Sequence, residues 1–81
     1  MQLTDELWKK IILSLEPLTE RIVMAETSAT PLYPSDKNDI DDTVYLKIEG
    51  SDLATYLVTV KYKDILEHKL YNELKTHYIL T

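Results

Sequence analysis

The chain has no cysteine and a single glycine, Gly50, among 81 residues. Without cysteine there are no disulfides, no thiolate metal ligands and no thiol nucleophile. One glycine excludes a P-loop and a dinucleotide-binding fingerprint, both of which need several glycines for close backbone approach to phosphate. No serine stands in a nucleophile-elbow context. No apolar run approaches the ~20 residues of a membrane span. The start, Met1 to Glu6, lacks the basic residues and apolar stretch of a signal peptide. A soluble, cytoplasmic protein that does not bind a membrane is expected.

Histidine is also scarce. His68 and His77 are nine residues apart, which puts them on opposite faces of one helix, so they cannot share a metal ion. No enzyme, no cofactor and no resident metal is expected.

What the chain does have is acid, and it is concentrated. Asp36, Asp39, Asp41, Asp42, Glu49 and Asp52 fall in a window that contains only Lys37 and Lys47, so residues 36–52 carry −4 of the net −5. Such a field attracts a partner with a basic surface and repels nucleic acid. A calcium loop does not explain it. Counting from Asp36, an EF-hand would need an oxygen ligand at Ile40, glycine at Asp41 and glutamate at Lys47. Catalytic use of Asp41 and Asp42 would need an enclosure that a solvated loop does not provide. The lysines near the C-terminus (Lys61, Lys63, Lys69 and Lys75) are spread out and offset by Asp64, Glu67 and Glu73, which reads as a solvated face.

Eighty-one residues make one domain, residues 1–81. A chain of this size buries only about 60–65% of its unfolded surface, so a second copy is a natural source of extra core. A homodimer is therefore expected.

Residues 5–16 read as an amphipathic helix. Thr4 is its N-cap, Asp5 and Glu6 lie in the first turn, and Leu7, Trp8, Ile11, Ile12 and Leu15 form one stripe. Leu13 falls outside that stripe. Pro17 ends or kinks the helix. Arg21 to Ala25 reads as a short strand, and residues 28–42, with two prolines and no periodicity, as a long, mobile acidic loop. Within it, Pro31-Leu32-Tyr33-Pro34 holds an apolar pair in extended geometry, as a recognition segment does.

Alternation then predicts a hairpin. Val44, Leu46 and Ile48 would face Val58, Tyr56 and Ala54 across a loop at Gly50 to Asp52. Its other face would carry Tyr45 opposite Leu57, flanked by Lys47, Thr55 and Thr59. A second helix is expected from about Asp64 to Tyr78, capped by Asp64 with Glu67 and buried along Leu66, Leu70 and Leu74. Ile79 and Leu80 would lie past its end, packed down or paired along an edge. The fold class is α+β: a two-layer α-β-β-β-α order, with a three-stranded antiparallel sheet and both helices on one face.

These features favour a small acidic, non-enzymatic module that binds and modulates or inhibits a protein partner, as a homodimer. Its contact residues would be Asp36, Asp39, Asp41, Asp42, Glu49 and Asp52 for steering, with Tyr33, Tyr45 and Leu57 as apolar anchors. A sharper alternative makes the carboxylates a mimic of DNA phosphates, inhibiting a nucleic-acid-binding protein as small viral host-takeover proteins do. A third makes the chain a structural or assembly subunit whose acidity serves solubility.

Overall fold

The computed structural model describes residues 3–15, 19–32 and 43–81. Helix α1, Asp5–Leu13, begins where Thr4 is extended and its hydroxyl accepts the Leu7 N–H at 3.2 Å. Trp8, Ile11, Ile12 and Leu15 are buried and Leu13 is exposed, as the periodicity requires. Arg21 donates to the carbonyls of Leu13 and Leu15, covering two of the acceptors that a helix end leaves open.

Arg21–Met24 is helix α2, not the expected strand. Four residues carry too little pattern to separate the two; in the helical turn Met24 is buried, with Val23 packed half-buried against the core. Ser28–Leu32 is strand β1, so the first part of the expected loop is ordered in the sheet. The rest of that segment, including Tyr33, Asp36, Asp39, Asp41 and Asp42, lies outside the described residues.

Strand β2, Val44–Glu49, is central. It pairs antiparallel with β1, placing Leu32 by Tyr45, Thr30 by Lys47 and Ser28 by Glu49. The hairpin is overturned. Residues 52–56 form helix α3, which continues as a π-helical turn over Leu57–Lys61 closed by Tyr62 N–H on the Leu57 carbonyl at 2.8 Å. Ser51 caps this helix through its hydroxyl, which accepts the Ala54 N–H at 3.2 Å. Ala54, Leu57 and Val58 are the buried positions, spaced i, i+3, i+4.

Helix α4, Lys63–Leu74, buries Leu66, Leu70 and Leu74 as expected. Its expected cap is absent: Asp64 makes no capping bond, and Glu67 instead accepts the Leu80 N–H at 3.0 Å. Lys75 ends the helix in the left-handed region at φ 56°. Tyr78–Leu80 then forms strand β3, parallel to β2, with Tyr45 by Ile79 and Leu46 by Leu80. The class is α+β with a three-stranded mixed sheet, not an antiparallel one, because the return through α3 and α4 delivers the last strand in the direction of β2. Four helical segments, not two, are present among the described residues.

Gly50 sits at the junction of β2 and α3. Its φ is not positive, so turn geometry does not require glycine there. Space does: a Cβ would stand 2.9 Å from Thr27 Cγ2.

Candidate functional site

Burial alternates along the strands. Leu46, Ile48, Tyr78 and Leu80 are buried, with Ala29, Pro31 and Val44 half-buried, while Ser28, Thr30, Leu32, Tyr45, Lys47 and Glu49 are exposed. One sheet face is therefore core and the other is open. Register assembles the open face into rows. Leu32, Tyr45 and Ile79 lie side by side across all three strands, making one apolar row at the Val44 end of β2. Tyr45 is 47% exposed and Leu32 46%, with Ile79 half-buried. The next rows are polar: Thr30 by Lys47, then Ser28 by Glu49. Lys47 and Glu49 form an ion pair at 3.8 Å that is open to water, where such pairs contribute little.

The expected site residues thus separate. Tyr45 and Glu49 share the open face, at opposite ends. Asp52 is exposed in the first turn of α3. Leu57 is not on this face: it is 3% exposed within the core, because residues 52–61 coil where a strand was expected. The apolar neighbour of Tyr45 is Leu32 on one side and Ile79 on the other. Leu32 was signalled by its place between two prolines. Ile79 was signalled only by leaving, with Leu80, the helical stripe of Leu66, Leu70 and Leu74.

Elsewhere the described residues offer little enclosure. A cleft of about 180 Å³ is lined by Asp5, Trp8, Lys9, Glu26, Thr27 and Ser28, below the ~300–1,000 Å³ typical of small-molecule sites. Its indole N–H is already satisfied by Thr27. No three histidine or carboxylate side chains converge to hold a metal among the described residues. His77 stacks on Tyr71, with ring centroids 4.4 Å apart.

One polar cluster ties α2 to the π-helical turn. Glu20 receives Lys61 Nζ and the Tyr62 hydroxyl, each at 3.1 Å. The Lys61 hydrogen bond, aided by the Glu20 backbone N–H and by Tyr62, holds the Glu20 carboxyl below its ordinary value. The same contact raises Lys61. Within the described residues no helix is long and apolar enough to cross a membrane. Comparison with protein-family models, with curated proteins and with solved structures returned no match.

Proposed function

We propose that the chain is a non-enzymatic protein-interaction module that binds and modulates a protein partner with a basic surface, and that it acts as a homodimer. The observation that carries this reading is the open sheet face with its apolar row of Leu32, Tyr45 and Ile79. An aromatic and two aliphatic side chains in register supply the anchor that a docking face needs. The acidic residues add steering. Asp36, Asp39, Asp41 and Asp42 lie, in sequence, on the stretch that joins Leu32 to Thr43. Both residues stand at the end of the sheet where the apolar row lies. Apolar contact then sets the lifetime of the complex, and charge sets the rate of encounter.

The test is capture from native lysate with mass spectrometry, using the wild-type chain, Tyr45→Ala with Leu32→Ser, and Asp36, Asp39, Asp41 and Asp42 changed to Asn. A partner that is retained by the wild type, lost with the sheet-face pair and captured more weakly with the Asn set supports the reading. Identical partner lists from all three proteins would sink it. A captured DNA-binding protein that free DNA displaces would favour the DNA-mimic alternative instead.

A further inference from the structure

The cleft between α1 and the start of β1 has a charged rim over a buried, neutral base. Trp8 and Thr27, which form the base, are 1% and 3% exposed. Their polar groups are spent on each other and on the Met24 carbonyl, so recognition falls to the rim. Asp5, Lys9 and Glu26 stand there, all exposed. Among the described residues no ion pair joins any of the three to one another or to a further side chain. Two carboxylates from separate segments, Asp5 on α1 and Glu26 on the link from α2 to β1, thus line one cleft, and neither is neutralised.

Size and charge select the occupant. About 180 Å³ is too small for a drug-sized molecule, yet it exceeds the ~150 Å³ that encloses a benzene ring. One planar side-chain head with part of its stem fits. Asp5 and Glu26 outweigh Lys9, which favours one cation and disfavours an anion. Two carboxylates are too few for calcium, which takes about six to eight oxygens. A guanidinium suits them better than an ammonium does. Its N–H groups form a planar fork that can reach two acceptors, and its weaker hydration makes entry into a cleft less costly.

The cleft is continuous with the open sheet face. Ser28 lines it and, in register, stands beside Glu49 in the last row of that face. Leu32, in the apolar row, lies four residues further along β1, about 13 Å at the rise of an extended strand. An extended partner segment of about five residues covers that distance.

We propose that this cleft receives an arginine side chain of the protein partner, its guanidinium held between the Asp5 and Glu26 carboxylates. An apolar residue of the same partner seats on Leu32, Tyr45 and Ile79. The inference rests on the reading of the chain as a module for a partner with a basic surface, and it says which basic residue is read and where. Lys9 leaves the rim a single net negative charge, so one arginine satisfies it. Arginine set in a pocket is a frequent centre of binding energy.

Nuclear magnetic resonance titration of the full chain with N-acetylarginine amide, up to high millimolar concentration, tests it. The Trp8 indole N–H and the amides of Glu26, Thr27 and Ser28 should shift together and saturate. N-acetyllysine amide should bind several-fold more weakly, and N-acetylcitrulline amide, a neutral isostere of arginine, should give no saturable shift. Glu26→Gln and Asp5→Asn, both at exposed positions, should each weaken arginine binding several-fold, with an unchanged far-ultraviolet circular dichroism spectrum. An arginine titration without shifts at the cleft overturns the proposal. Equal binding of the citrulline compound, or arginine binding that survives both substitutions, overturns it too. Capture from lysate separates this inference from the reading it rests on. A partner lost on Tyr45→Ala with Leu32→Ser, yet retained in full on Glu26→Gln with Asp5→Asn, would keep that reading and sink the arginine site.

Discussion

Trp8 donates its indole N–H to both the carbonyl and the hydroxyl oxygen of Thr27, at 3.1 and 3.2 Å, across nineteen positions of sequence. Both residues are buried, and the Thr27 hydroxyl in turn donates a hydrogen bond to the Met24 carbonyl at 2.6 Å. This is how the first helix is fixed to the start of the sheet. Thr27→Val keeps the shape and removes the hydroxyl, leaving the Met24 carbonyl with one partner fewer. We expect a loss of about 1–2 kcal/mol, read by urea unfolding followed through Trp8 fluorescence.

Gly50→Ala tests the same region from the other side. The added methyl would meet Thr27 Cγ2 at 2.9 Å, with Thr27 Cα at 3.4 Å behind it, so β2 and Thr27 must move apart. Overpacking of this kind costs about 1–3 kcal/mol. Thr27→Ser removes the methyl that clashes, and combining it with Gly50→Ala should restore part of the loss. Additive losses in the double variant would refute the steric account.

Leu57 and Tyr45 should respond in opposite ways. Leu57→Ala empties a core position and should cost about 2–5 kcal/mol, whereas Leu57→Asp should prevent folding. Tyr45→Ala, on the open face, should change the urea midpoint by far less. Equal sensitivity at the two positions would contradict the helical placement of residues 52–61.

The Glu20 cluster gives a pH dependence whose sign is fixed. A carboxyl held below 4.5 contributes stability that is present above that value and lost as pH falls through the folded pKa. Lys61, raised above 10.5, contributes stability that is complete below 10.5 and lost as pH rises through the folded value. Melting temperatures taken from about pH 6 down to about pH 3 should therefore fall less steeply for Glu20→Gln than for the wild type. Matching slopes would show that the cluster contributes nothing to acid stability.

Lys75 adopts φ 56°, a region that costs a side chain about 1 kcal/mol and glycine almost nothing. Lys75→Gly should raise stability by up to about 1 kcal/mol, measured by thermal unfolding. Lys75→Val should lower it.

These tests bear on what the sequence discloses. α1 and the buried stripe of α4 were legible because Trp8, Ile11 and Ile12, like Leu66, Leu70 and Leu74, repeat at helical spacing over several turns. Residues 53–62 misled for a physical reason. Ala54, Tyr56, Val58, Val60 and Tyr62 alternate, and valine, threonine and tyrosine favour strands, yet Ala54, Leu57 and Val58 also satisfy a helical stripe. Packing against the core overrode the local preference, and Ser51 before Asp52 was the capping signal that pointed the right way. β1 was hidden because Ser28-Ala29-Thr30-Pro31-Leu32 has little sheet propensity and owes its order to β2. Of the site, Tyr45 was legible and its neighbours were not, since a row across three strands depends on register between segments far apart in sequence.

The parallel pairing of β2 with β3 has a kinetic consequence. β1 can meet β2 after closing the connection of residues 33–43, but Tyr78–Leu80 reaches β2 only once the longer stretch through α3 and α4 has been gathered in. Loop closure over that distance must precede any reward from the contact, so β3 should be among the last elements to dock and the first to be released. Amide hydrogens that lock the far side of β2, such as Ile48 N–H on the Thr81 carbonyl, should then exchange through a smaller opening than those between β1 and β2. The central strand is guarded on one side by a neighbour and on the other by a latecomer.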